Sequence, residues 1–305
     1  MGVSNTLQTS AARPDPRAVL TLLKPVTWFP PMWAFTCGVI STGQPLSGRW
    51  SLLALGICLT GPLVCASSQA VNDWFDRHVD AINEPNRPIP SGRIPGQWGL
   101  IIAIAWTALS FLAAIPLGPL GLIAVTLALL FSWGYSAPPF RFKLNGWLGN
   151  AAVGFTYEGL AWVTGAALML GGTALPWPIW MAALMYSIGA HGIMTLNDFK
   201  AIEGDRRMGV GSLPVKLGEV PAAYVASAVM LMPQWVVLAM LLVLGKPWHA
   251  LTIGVLMGVQ LGIMRWFVQS PRDRALYLSA FGVPFSVAGM MVTAFALRGA
   301  LGAGA

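Results

Sequence analysis

The chain has 305 residues, of which 56% are hydrophobic and only 10% charged, whereas soluble globular domains carry about one-quarter charged residues. So much apolar surface excludes a single soluble core and points to an all-α polytopic membrane protein. A formal charge of +7 would suit a nucleic-acid binder, but the basic residues follow membrane topology instead, so the expected surroundings are a lipid bilayer and no nucleic acid.

Residues 1–24 hold Arg13, Pro14, Asp15, Pro16 and Arg17 and read as a cytoplasmic N-terminal segment, without the apolar stretch and small-residue cleavage site of a signal peptide. Windows of about 19 residues then predict nine transmembrane helices, near 27–43, 51–71, 98–116, 120–137, 148–170, 177–197, 222–244, 248–268 and 277–298. Together they make one bundle and one membrane domain, 25–298, followed by a tail at 299–305. Cys37, Cys58 and Cys65 fall in apolar stretches with no metal-ligand spacing and read as small buried residues.

With the N-terminus cytoplasmic, 15 of the 18 basic residues lie on the cytoplasmic side, and only Arg49, Lys246 and Arg298 lie opposite. That segregation sets the orientation by the positive-inside rule and puts the C-terminus on the far side. Acids gather on the same side as the basic residues, so the expected site is cytoplasmic.

The second span ends Asn72-Asp73-Trp74-Phe75-Asp76-Arg77-His78-Val79-Asp80. At about 100° per residue, Asp73, Asp76 and Asp80 share an arc of roughly 60°. Three carboxylates crowded on one helix face repel unless cations neutralise them, and hard oxygen ligands suit Mg²⁺ shared with a phosphate. The alternative is a solvated helix end whose acids pair with Arg77 and Arg87. The sixth span ends Asn197-Asp198-Phe199-Lys200-Ala201-Ile202-Glu203-Gly204-Asp205, where Asp198 and Asp205 share a face if the helix is continuous. Two Asn-Asp helix ends, 125 residues apart, would clamp one diphosphate through Mg²⁺.

At these residues the sequence resembles the UbiA-type superfamily of intramembrane prenyltransferases, whose first motif, N-D-x-x-D-x-x-x-D, is matched by Asn72, Asp73, Asp76 and Asp80. Within it, the segments Asp80–Gly92, Tyr135–Gly149 and Asn197–Asp205 with Ser212–Val215 are similar to chlorophyll and bacteriochlorophyll synthases. One departure is Ala201, where many superfamily members carry a further Asp; chlorophyll synthases commonly share the absence, and it leaves the number of metal ions open.

The resemblance implies a nine-helix fold with a cytoplasmic site, Mg²⁺ as cofactor, and residence in a bacterial photosynthetic inner membrane. It implies transfer of a geranylgeranyl or phytyl group from its diphosphate to the propionate of chlorophyllide or bacteriochlorophyllide, with the bacteriochlorophyll branch favoured. Asp73, Asp76, Asp80, Asp198 and Asp205 then become the metal ligands and catalytic acids. Asn72, Asn197, Arg77, Arg87, Arg141, Lys143 and Lys200 become substrate-binding candidates, although Arg141 and Lys143 also read as ordinary positive-inside charge. Glu158, about ten residues into the fifth span, is either functional or hydrogen-bonded to a neighbouring helix. His191 shares the face of Asp198 and reads as a satisfied core histidine rather than a ligand of the pigment's magnesium. A prenyltransferase for an aromatic acid, quinone precursor or haem is the rival enzyme reading. A transporter or pigment scaffold is disfavoured because the acids sit at helix ends, not at broken midplane helices.

Overall fold

A computed structural model describes residues 13–171 and 174–302. Among the described residues the chain is all-helical, with no strand and one isolated bridge, between Asn145 and Gly211. In chain order the helices are α1 (Pro16–Leu23), α2 (Phe29–Ser41), α3 (Trp50–Asn83), α4 (Trp98–Ala114), α5 (Gly118–Ser136), α6 (146–169) and α7 (Trp177–Asp198). They continue with α8 (Ile202–Met208), α9 (Leu213–Leu217), α10 (Glu219–Val243), α11 (Pro247–Phe267) and α12 (Pro271–Leu301).

Among the described residues six helical runs are long and apolar enough to cross a membrane, so the expected nine are not confirmed, and the counts differ at three places. At 13 residues, α2 falls short of the roughly 20 that span the hydrocarbon. Polar Asn150, Thr156, Glu158 and Thr164 interrupt α6. The run Trp98–Ser136 counts once by length, although α4 packs against α5 and both pack against α3. Gly118, at φ 78°, makes the turn between them, a backbone conformation that glycine adopts without steric cost.

The N-terminal segment is more structured than expected. Asp15 caps α1 by accepting from the Arg17 N–H at 3.0 Å, and Pro16 opens the helix without wasting a donor. Ala18, Leu22 and Leu23 are buried against Ala66, Ala70 and Val71 of α3, so α1 lies on the bundle; residues 1–12 fall outside the described part. At the other end α12 runs to Leu301, so the expected tail from residue 299 begins as helix.

Helix α3 has 34 residues, or about 51 Å at 1.5 Å per residue, well beyond the roughly 30 Å of hydrocarbon. Its final turns therefore project out of the apolar layer, and these carry the first acidic motif. Pro62 lies in a π-helical turn, Leu59–Cys65, and its carbonyl accepts from the Trp106 indole at 3.1 Å. A second π-helical turn, Phe155–Leu160, sits in the middle of α6. In the core, Trp162 is fully buried and stacks on Tyr186 at 5.6 Å. Helices α2 and α6 meet backbone to backbone: a Cβ at Gly38 would stand 2.0 Å from the Trp162 oxygen, and one at Gly165 would stand 2.1 Å from that of Phe35. Small residues at helix contacts permit this approach in membranes.

Candidate active site

The first motif stays helical from Asn72 to Asp80, so its three acids do share one face of α3. Asp73 is 2% exposed. Its Oδ1 accepts from Lys24 Nζ at 2.7 Å and lies 3.4 Å from Arg87 Nη1, which also donates to Asp80 Oδ2 at 2.9 Å. Asp76 takes a hydrogen bond from Lys143 and one from Asn72 Nδ2 at 3.0 Å, while Asn72 also donates to Ser136 Oγ at 3.1 Å. Cations from three separate segments therefore neutralise the cluster.

Arg87 forks onto Glu84 through Nε and Nη2, at 2.6 and 2.9 Å. This hydrogen bond, helped by the guanidinium charge, holds the Glu84 carboxyl below its usual range. Burial would lower Arg87, but its bond to Glu84 and the charges of Asp73 and Asp80 carry it upward instead. Lys143 is shifted the other way: burial holds its ammonium below the ordinary lysine value despite the opposing pull of Asp76.

The second motif departs from expectation. Helix α7 ends at Asp198 and α8 begins at Ile202, so Asp198 and Asp205 do not share a face of one continuous helix; the intervening turn sets their relation. Asn150 Nδ2, from the start of α6, donates to Asp198 Oδ2 at 3.1 Å and to Thr195 Oγ1 at 3.2 Å. Asp205 lies beside Ser212, and partial burial raises its carboxyl above the usual range.

The two motifs border one cavity, through Asn72 and Asn197. Tyr135, half-buried on α5, lies within electrostatic reach of Asp198, Asp76 and Asp205. Beneath it that cavity, of about 390 Å³, opens, lined by Asn72, Asn197, Tyr135, Tyr157 and Glu158 among mainly apolar side chains. Both motif asparagines thus stand at the cavity wall. The loop joining α5 to α6 is tightened at Arg141, whose φ of 43° is left-handed and costs a non-glycine residue of order 1–3 kcal/mol. Lys24 shares that conformation, at φ 47°. Both strained residues are basic, and Lys24 is the one that bonds an acid of the first motif.

Four candidates fall elsewhere or change character. Arg77 donates to the Trp74 carbonyl at 2.7 Å and lies 4.1 Å above that ring, so it joins no acid. Lys200 is exposed in the turn after α7. Neither ring nitrogen of buried His191 finds a partner of normal hydrogen-bond geometry, and its ring packs against Trp147 at 5.4 Å; it is a core histidine, but not a satisfied one. Glu158 does not bond a neighbouring helix: its Oε2 is buried without a partner.

Sequence reading passed over Lys24 and Asn150. In the sequence Lys24 is one more cytoplasmic-side charge, and nothing local pairs it with Asp73, 49 positions away. Asn150 follows the Asn-Gly-Trp-Leu-Gly segment directly, and an amide in the first turns of an apolar span was its available signal.

A family model described as the UbiA prenyltransferase family matches residues 28–296. The chain belongs to the UbiA prenyltransferase family. It is 52% identical over 288 residues to the bacteriochlorophyll synthase 33 kDa chain of Rhodobacter capsulatus, covering 94% of this chain and 95% of that one. The chloroplastic chlorophyll synthase of Arabidopsis thaliana is 38% identical, covering 91% of this chain and 73% of that protein. In fold, the chain matches a UbiA homologue from Archaeoglobus fulgidus solved with GPP and Mg²⁺, at TM-score 0.69 and 22% identity, covering 92% of this chain and 99% of that one. It is thus an integral-membrane prenyltransferase of the UbiA fold.

Proposed function

We propose that this prenyltransferase esterifies the propionate of bacteriochlorophyllide, or of chlorophyllide, with a geranylgeranyl or phytyl group taken from its diphosphate. The observation that carries the reading is that Asn72 and Asn197, one from each acidic motif, stand at the wall of one largely apolar cavity. A polar head and a long apolar tail need such a pairing. The names and identities of the bacterial and plant relatives support the pigment acceptor.

Divalent metal fits the donor set. Asp73 Oδ2 is buried and has no partner, and the acids are hard oxygen ligands. Among the described residues no three acids, histidines or cysteines are gathered to hold a metal unaided, so substrate phosphate would have to supply part of an ion's coordination. Asp73, Asp76, Asp80, Asp198 and Asp205 would hold Mg²⁺, which neutralises charge on the leaving diphosphate when bound. Lys24, Arg87 and Lys143 keep the first three acids oriented, and Asn150 does so for Asp198. Arg141, whose Nε is buried without a partner, has a donor free for a phosphate oxygen. In the reaction, a propionate oxygen bonds C1 of the prenyl chain as the C1–O bond breaks, and the electron pair leaves with diphosphate. The acceptor is already a carboxylate at neutral pH, so no general base is required.

The same reading puts nine spans in one membrane domain, 25–298, with α2 and α6 among them, the acids and N-terminus cytoplasmic, and the C-terminus opposite, in a bacterial photosynthetic membrane. Membranes containing the protein, incubated with each pigment acid and each prenyl diphosphate and analysed by mass spectrometry, should yield the pigment ester. Exclusive prenylation of an aromatic acid, or no pigment ester with any donor, would overturn the proposal.

A further inference from the structure

Glu158 is the residue that the chemistry above leaves unused. It belongs to the π-helical turn of α6, a distortion often found at functional sites. Glu158 lines both the main cavity and a smaller one bounded by Gln234 and Ser286, and its Oε2 is buried without a partner. No lysine or arginine lines either cavity. In the smaller cavity the Gln234 amide is committed to the Met230 carbonyl, Gln260 and Ser286 and does not bond Glu158. With no cation beside it, the carboxyl offers an O–H rather than a full charge.

Depth decides what it meets. Asn150, bonded to Asp198, marks the level of the acids, and Glu158 lies eight residues further along α6, at most about 12 Å deeper at 1.5 Å per residue, since the π-helical turn that holds it rises less steeply. A prenyl chain whose head is held at the acids runs down the cavity past Phe131, Val153, Ile193 and Met194. At that depth it has passed the allylic double bond, the one that geranylgeranyl and phytyl chains share. Beyond it, the geranylgeranyl chain keeps a double bond in every isoprene unit, and the phytyl chain is saturated. A saturated chain displaces water from Glu158 and offers nothing in return; an alkene presents a π face that accepts a weak hydrogen bond.

We infer that Glu158 senses the unsaturation of the prenyl chain, favouring the geranylgeranyl over the phytyl donor; this rests on the donor assignment proposed above. The test compares kcat/KM for geranylgeranyl and phytyl diphosphates in membranes holding the wild type, Glu158→Gln and Glu158→Leu. The geranylgeranyl-to-phytyl ratio should fall roughly two- to fivefold in Glu158→Leu, the scale of a weak hydrogen bond, and stay near wild type in Glu158→Gln, which keeps a donor. An unchanged ratio in Glu158→Leu, with both donors still used, would overturn the inference. A second measurement needs no variant: wild-type protein is assayed with geranylgeranyl diphosphates reduced at one, two or three distal double bonds. Loss should concentrate at the reduction facing Glu158, and an even decline, or none, would equally overturn the inference. Wild type forming no pigment ester with any donor instead refutes the esterification itself, so the two failures are told apart.

Discussion

Replacing Asp73 by Asn probes the acidic site most directly, because two consequences separate. The amide keeps the shape of the side chain but removes the charge that faces Lys24 at 2.7 Å and Arg87 at 3.4 Å. Breaking a fully buried pair costs about 3–5 kcal/mol, but both cations here are 25% exposed and remain partly hydrated, and Arg87 keeps Asp80 and Glu84. The expected stability loss is therefore about 1–2 kcal/mol, larger than repulsion within an isolated acidic cluster suggests. Turnover should fall by at least about 10²-fold, the scale of a lost electrostatic contact at developing charge. The assay is ester formation across a range of Mg²⁺ concentrations, alongside thermal unfolding of the detergent-solubilised protein. Asp76→Asn should match the activity loss with a smaller shift in melting, since Asp76 is more exposed than Asp73. Near-wild-type turnover in both variants, with Mg²⁺ present, would refute the metal assignment.

Asn150→Leu removes the 3.1 Å bond to Asp198 and should lower kcat about tenfold, as loss of a ligand-orienting partner does, with helicity by circular dichroism unchanged. Gly165→Ala puts a Cβ 2.1 Å from the Phe35 carbonyl, so α2 and α6 must separate; a loss of about 1–3 kcal/mol should appear as a lower melting temperature. Because Arg87 holds Glu84 below its usual value, that pair stabilises the fold above the unfolded carboxyl pKa of about 4.3 and fades as pH falls through the lower folded value. Glu84→Gln should accordingly melt slightly below wild type at pH 7, by less than about 1 kcal/mol for so exposed a group, and converge with it in acid; a gap that persists there would contradict the pairing.

Local periodicity carried much of the design. Apolar runs located most helix ends within a few residues, since a membrane helix must present hydrocarbon along its length, but α3 runs on to Asn83, well past the expected end at 71; the spacing of Asp73, Asp76 and Asp80 placed them on one face because α3 continues unbroken through them. Where a property depended on chain direction or on distant partners, periodicity had nothing to say. The break between Asp198 and Ile202 lies in a segment as polar as a helix end, so seven-residue spacing implied a shared face that the turn removes. Lys24 reaches Asp73, Lys143 reaches Asp76 and Asn150 reaches Asp198 only because α1, the loop after α5 and the start of α6 converge over the projecting end of α3. The isolated partner of Glu158 is likewise absent for a tertiary reason: Gln234, Gln260 and Ser286 satisfy one another, and that leaves one carboxyl facing the cavity. Sequence thus determined which side chains were charged and how far apart they stood along a helix, and packing decided which charges were neutralised, because pair energies depend on distances across the fold.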